Sequence, residues 1–219
     1  MTAYTQDSNL VLWLPMTIGS GTHLNDYSGN SNDGTINGAD WLKIPYMGSY
    51  ALEFNGSSDY VSGSLGSITT VMTVSAWIKT DGSGMSGNWG GIVSDGGILA
   101  FQKWQLRRDN DNVYEFVWDN QSYTSSAYTD ATNIEDDEWH HIVGVYDGSQ
   151  MKLYVDGILA DTHNYSGTIS SSTSFSIGRY ESSAPTYYYF QGIISDVMIW
   201  NKALTIEEIK DIYKNTYRS

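Results

Sequence analysis

Two groups of side chains have the types and spacing to do chemistry. The first is an oxygen-rich loop in which Asp26, Ser28, Asn30, Asn32 and Asp33 surround Gly29. Calcium takes hard oxygen ligands in flexible geometry, mixing carboxylates, amide oxygens and backbone carbonyls, and this loop supplies all three. An ordinary Asx-turn, with Asp26 bonding the backbone two residues on, accounts for the same residues. The second group is aromatic: Trp89, Trp104, Trp118, Tyr123, Tyr128 and the run Tyr187–Tyr189. Gln102, Gln105, Arg107, Asn120 and Gln121 are interleaved with them. Flat rings with polar tips suit sugars, whose C–H faces stack on the ring while their hydroxyls reach amides and guanidinium groups. This spacing predicts a carbohydrate-binding set of Trp104, Trp118, Tyr123, Tyr128, Gln102 and Arg107. Packing of the same rings against a curved sheet is the alternative.

Catalytic constellations are not evident. The chain has no cysteine, no Gly-x-Ser-x-Gly elbow and no phosphate-cradling glycine loop. His140 and His141 are adjacent, so on a strand they point to opposite faces and do not share a metal. His23 and His163 have no evident partners in sequence. The acidic run Glu135–Glu138 reads as a solvated turn before Trp139.

The elements that must position these groups are short strands. With 22 glycines and abundant Ser, Thr, Asn and Asp, turns are frequent, and β-rich runs recur between them, the pattern of an antiparallel sandwich or barrel. In Met72–Lys79, Met72, Val74, Ala76 and Ile78 alternate with Thr73, Ser75 and Lys79, which places one face on a core. His141, Val143 and Val145 repeat that spacing, as do Met151, Leu153 and Val155. Asp147-Gly148 and Asp156-Gly157 supply the positive φ angles of tight hairpin turns, so Trp139 to Asp161 reads as a three-stranded meander. Residues Asp81 to Gly97 read as a long glycine-rich loop with a short strand near Gly91 to Ser94. One helix is predicted, opened by a capping box of Thr205 and Glu208 and carrying Ile206, Ile209, Ile212 and Tyr213 on one stripe.

Several of these pieces, in order, resemble laminin-G-like jelly-roll domains of the concanavalin A-like superfamily. They are Leu10–Leu14, the D-x-S-G-N-x-N-x-G element from Asp26 to Gly34, Ala51–Gly56 with Asp59–Val61, and Thr73–Ile78. Glu138–Ile142, Leu153–Gly157, Gly192–Asn201 and Ala203–Ile209 complete the set. The resemblance implies one domain over residues 1–219, an all-β sandwich of two antiparallel sheets with a short C-terminal helix. It also implies that the Asp26 loop lies near the last strand, where Asp196 sits among Ile193, Ile194, Val197 and Ile199. The expected calcium site is therefore Asp26, Ser28, Asn30, Asn32 and Asp196. Glycanases of this fold place carboxylates as Glu-x-Asp-x-x-Glu on one strand, and no such spacing occurs here. Residues Gly82 to Tyr128 match the family least, and there ligand identity transfers least.

Composition bounds the partners. The chain has 219 residues, 40% of them hydrophobic and 16% charged, enough for a real core. A net charge of −14 repels phosphate backbones and anionic headgroups, which argues against nucleic acid or membrane as ligand. No apolar run approaches the length of a membrane span. Met1 to Asn9 lacks a cationic segment, and Leu10 to Met16 is short for a signal core. The expectation is a non-catalytic, lectin-like module for a glycan or polysaccharide, calcium-stabilised, in an extracellular or particle-surface setting. Alternatives are a protein-binding adhesion module and, with less support, a polysaccharide-degrading enzyme.

Overall fold

The computed structural model describes residues 7–44, 50–66, 68, 70–83, 89–96, 103–109, 113–119, 124–130, 134–167, 173–183 and 186–216. In chain order its strands begin with β1 (Leu10–Leu14), β2 (His23–Leu24), β3 (Gly34–Asn37), β4 (Asp40–Lys43), β5 (Tyr50–Asn55) and β6 (Tyr60–Ser64). Then come β7 (Met72–Lys79), β8 (Gly90–Asp95), β9 (Lys103–Arg108), β10 (Val113–Asp119), β11 (Thr124–Asp130) and β12 (Trp139–Tyr146). The last are β13 (Gln150–Val155), β14 (Ile158–Asn164), β15 (Ser174–Ile177), β16 (Arg179–Ser183), β17 (Thr186–Tyr189) and β18 (Gln191–Trp200), followed by helix α1 (Ile206–Thr216).

These strands form two antiparallel sheets, the all-β sandwich that the sequence predicts. One sheet has the order β14-β13-β12-β7-β18-β5-β4, with β1 also paired to β18. The other runs β11-β10-β9-β8-β15-β6-β3-β2, and the β16–β17 hairpin joins it through a single parallel bridge, Tyr189 to Gly91. Between the sheets lies one apolar core, including Leu12, Val74, Ile142 and Leu153 from the first and Val61, Leu106, Phe116 and Phe175 from the second. The sheets approach closely: a Cβ on Gly144 would lie 2.4 Å from the Phe116 ring. The meander is β12, β13 and β14, and Asp156 and Gly157 turn it with φ of 51° and 74°.

The second face of the first sheet is also covered. Thr205 caps α1 as predicted, its amide donating to Glu208 Oε2 at 2.8 Å and its hydroxyl accepting from the Glu208 amide at 3.3 Å. Ile209 and Ile212 then pack with Leu10, Val143, Val145, Met198 and Trp200 into a second cluster. Thr216 accepts a 2.8 Å hydrogen bond from Trp77 Nε1 and so fixes the far end of the helix. Strand β7 is consequently buried on both faces up to Ile78, rather than on the single face that its alternation suggests. Alternation reports the first layer; the cover comes from a segment more than a hundred residues away.

His141 sits under this helix, its ring 5.2 Å from that of Trp77 and 6.2 Å from that of Tyr213, with neither ring nitrogen hydrogen-bonded among the described residues. Burial lowers its pKa to about 4, against a weaker upward pull from Asp156. Its neighbour His140 faces the other way, with Nδ1 2.8 Å from Asp156 and Nε2 3.1 Å from Asp136, and hydrogen bonding to Asp156 raises its pKa. The signs oppose. His141 favours the folded state fully above its unfolded pKa of about 6.5, and that contribution is lost as pH falls towards 4. The loss amounts to roughly 3 kcal/mol over that window. His141→Phe, which keeps the ring stack, should therefore gain stability relative to wild type between pH 7 and pH 4. Denaturant titrations at the two pH values check this, and a constant difference would contradict it.

Candidate functional site

The Asp26 loop is placed against the open edge of β1. Asp26 Oδ1 accepts from the amides of Trp13 and Ser28, both at 2.9 Å. Its Oδ2 accepts from the Ser28 hydroxyl at 2.7 Å and the Asn32 amide at 2.9 Å. Asn30 and Asn32 donate through Nδ2 to the carbonyls of Leu10 and Val11, both at 2.8 Å. A carboxylate has about four lone-pair directions, and here hydrogens take all four. Asp196 occupies the irregularity between Ser195 and Met198, at φ 47°, and accepts from Ser195 Oγ at 2.9 Å. Among the described residues no three His, Asp or Glu side chains converge on a metal position. As placed, Asp26, Ser28, Asn30 and Asn32 act as a clip that satisfies an edge strand.

The aromatic set divides by strand parity. In β9 and β10 the register sets Trp104 opposite Trp118 and Leu106 opposite Phe116. All four point into the core, with Trp104 and Trp118 0% and 1% exposed. The two tryptophans expected to meet sugar are therefore core residues. Tyr123 and Gln102 lie outside the described residues, and Tyr128 is described only as a backbone position in β11. Glu135 corrects another expectation: rather than solvated, it pairs with buried Arg108 and accepts from Tyr114 at 3.2 Å. Burial and this carboxylate push the Tyr114 hydroxyl well above its ordinary pKa.

Arg107 points to the opposite, outer face of the second sheet. Its Nε donates to Glu115 Oε1 at 2.8 Å and its Nη1 to Gln105 Oε1 at 2.8 Å, all three side chains being buried. Two rings rest on this guanidinium, Trp89 with its centroid at 5.1 Å and Tyr180 at 5.0 Å. Arg107 is thus a prop beneath aromatic rings, where free contact with sugar hydroxyls had been expected. Tyr188 stacks on Tyr180 at 5.3 Å and meets Trp89 at 5.6 Å. Trp89 and Tyr188 are half-buried, so each leaves part of a ring to solvent.

The β16–β17 hairpin brings these rings together by lying across β8. Ser94 Oγ donates to the Arg179 carbonyl at 2.9 Å, and the Gly178 amide donates to the Ile92 carbonyl at 3.0 Å. At the crossing, a Cβ on Gly91 would lie 2.2 Å from the Arg179 carbonyl carbon, so only glycine admits the hairpin. On its other side the hairpin presents half-buried Arg179, Tyr187 and Tyr189. The guanidinium carbon of Arg179 lies 3.4 Å from the centroid of the Tyr60 ring and 4.5 Å from that of Tyr187. Tyr60 and Arg179 escaped the sequence reading because their meeting depends on this crossing. The parity of Trp104, Leu106, Tyr114, Phe116 and Trp118 was readable and marks the core face directly.

A separate cleft of about 320 Å³ is lined by Asp40, Glu53, Asp59, Lys79, Asp81 and Asp137, among others. Three of its charged groups serve local structure: Lys79 pairs with Asp137 at 3.2 Å, and Asp59 accepts from the Asn55 amide at 3.1 Å.

Residues 55–210 match a laminin-G-type family model described as the concanavalin A-like lectin/glucanases superfamily. The chain belongs to that superfamily. No curated protein matches the chain. Among solved structures, this superfamily member is similar to the binding domain of Paraclostridial Mosquitocidal Protein 1, with a TM-score of 0.75, 15% identity, and 96% of this chain and 53% of that one covered. It is also similar to the receptor binding domain of botulinum neurotoxin D, at 0.72, 18%, 94% and 52%. A third is Domain 4 of AbnA, a GH43 extracellular arabinanase from Geobacillus stearothermophilus, in complex with arabinotriose, at 0.71, 17%, 94% and 98%. The chain thus spans about half the length of the toxin binding domains. At these identities the likeness is one of fold.

Two outcomes follow for the superfamily member in solution. Asp26→Ala should cost on the order of 3 kcal/mol, because four donors lose a charged acceptor, while excess chelator leaves the wild-type melting temperature unchanged. A shift of several degrees with chelator would restore the metal reading. Gly91→Ala should lower the melting temperature and expose Trp89, seen as a red shift of tryptophan emission. Unchanged stability and emission would mean that the hairpin does not cross β8 as described.

Proposed function

We propose that the protein is a non-catalytic carbohydrate-binding module whose ligand face is the outer face of the second sheet under the β16–β17 hairpin. The observation that carries this reading is the set of half-buried rings, Trp89, Tyr187, Tyr188, Tyr189 and Tyr60, of which Trp89 rests on buried Arg107 and Tyr60 and Tyr187 on Arg179. Rings fixed at one face and open at the other suit the apolar faces of sugars at low entropic cost. Glu115, the carboxylate beneath Trp89 and Tyr180, is buried and engaged by Arg107 at 2.7 Å. Two solved neighbours support the class of ligand, one by its arabinotriose and another, a botulinum neurotoxin serotype D ligand binding domain, by its N-acetylneuraminic acid. An extracellular or particle-surface setting, where polysaccharides occur, belongs to the same proposal.

A protein partner is the second reading, favoured by Ile158 and Leu159, which are 71% and 49% exposed beside the turn into β14. A glycan array followed by calorimetry separates the two. Trp89→Ala and Tyr187→Ala should each weaken binding of the best glycan at least tenfold, about 1.4 kcal/mol, with the fold intact by melting. Ile158→Ser should leave glycan binding unchanged. Retention of no glycan, or indifference to both aromatic substitutions, would remove the carbohydrate reading.

A further inference from the structure

The three described arginines all stand on the second sheet and its hairpin, yet they are not equivalent. Arg107 is neutralised by Glu115 and Arg108 by Glu135. Arg179 has no carboxylate partner among the described residues, where its guanidinium meets the rings of Tyr60 and Tyr187. A guanidinium held between aromatic faces keeps its charge and its in-plane N–H donors, because stacking uses the faces of the group and leaves its edge free. Half-buried Arg179 therefore keeps its charge and its donors on the same side of the hairpin as Tyr187 and Tyr189, with buried Glu181 two positions along its strand. Around it the outward positions of the neighbouring strands are uncharged: Ser62 on β6, and Thr35 and Asn37 on β3, where Asn37 is paired with Tyr60.

We propose that Arg179 is the anion subsite of this face, taking the carboxylate of a single acidic sugar carried on an otherwise neutral glycan. The proposal rests on the carbohydrate reading above. A planar carboxylate meets two parallel guanidinium N–H groups in one plane, which is the edge that the Tyr60 and Tyr187 rings leave open. The rest of the chain restricts the ligand further. With a net charge of −14, the protein repels a polyanion along its whole length. Screening over about 8 Å at physiological salt lets one carboxylate reach Arg179 without meeting that field in full. Uronic and sialic acids both supply this group.

The test uses matched probes on the full chain by calorimetry: 3′-sialyllactose against lactose, and a glucuronic-acid-capped disaccharide against its glucose counterpart. Each acidic probe is also measured as its methyl ester, which removes the charge without altering the protein. At least one acidic probe should bind about tenfold more tightly than both its neutral counterpart and its ester, and the pair that shows this identifies the acid. The preference, read as the acid-to-ester affinity ratio within each variant, should vanish in Arg179→Gln and be partly retained in Arg179→Lys. Equal affinity of acid and ester in wild type overturns the subsite, and so does a preference that survives Arg179→Gln; binding of the neutral glycans then leaves the carbohydrate reading standing. Tighter binding of polygalacturonate than of either singly charged probe overturns the single-acid specificity. If no glycan of any charge binds here or on the array, the carbohydrate reading itself falls, and the subsite with it. The wild-type acid and ester comparison decides the matter even if an Arg179 variant fails to fold.

Discussion

Strand β16 lies directly on the backbone of β8, and the outer face of the second sheet is organised around that crossing. Gly91 has no Cβ to hold the two strands apart, and a methyl group there would stand 2.2 Å from the Arg179 carbonyl carbon. Close approach then permits the Ser94 hydroxyl to reach the Arg179 carbonyl, and the Gly178 amide to reach Ile92. Because successive residues of β16 point to opposite sides, one crossing sends Tyr180 towards Arg107 and Arg179 towards Tyr60. A single backbone contact thus sets both halves of the aromatic face.

The buried trio of Gln105, Arg107 and Glu115 is not a simple source of stability. Removing two charges from water is costly, and a buried pair often does no better than apolar residues of the same volume. What it supplies is position. The guanidinium has a carboxylate and an amide oxygen in its plane, and Trp89 and Tyr180 near its π faces. Each partner restricts a different degree of freedom, and the rings above inherit that restriction. Arg179 repeats the cation–ring contact with no carboxylate partner among the described residues, so the two halves of the face are built on the same chemistry with different charge balance.

Local features were legible in the sequence. The meander turns at Asp147-Gly148 and Asp156-Gly157 and the Thr205–Glu208 capping box depend on residues a few positions apart, and the structure has them where the sequence predicts. Features made by distant segments were not. Strand β7 reads as one-faced because nothing near Met72–Lys79 announces that α1 will cover its second face. The loop from Asp26 to Asp33 has the ligand types for calcium, but the donors that consume its oxygens include the amide of Trp13, on another strand. Trp104 and Trp118 differ from expectation for another reason. Their aromatic identity suits a sugar face, but their alternation in register with Leu106 and Phe116 puts them on the core face.

Edge protection links the Asp26 loop to the rest of the fold. Strand β1 pairs with β18 on one side only, so its other edge would expose Leu10 and Val11 carbonyls and the Trp13 amide. An open edge invites pairing with another chain, and proteins cover such edges with loops or charge. Here both means coincide: Asn30 and Asn32 satisfy the two carbonyls, and Asp26 takes the amide while also binding its own loop. The D-x-S-G-N-x-N element thus has an architectural role in closing this edge, and its acidic residue ties the loop to the strand that it covers.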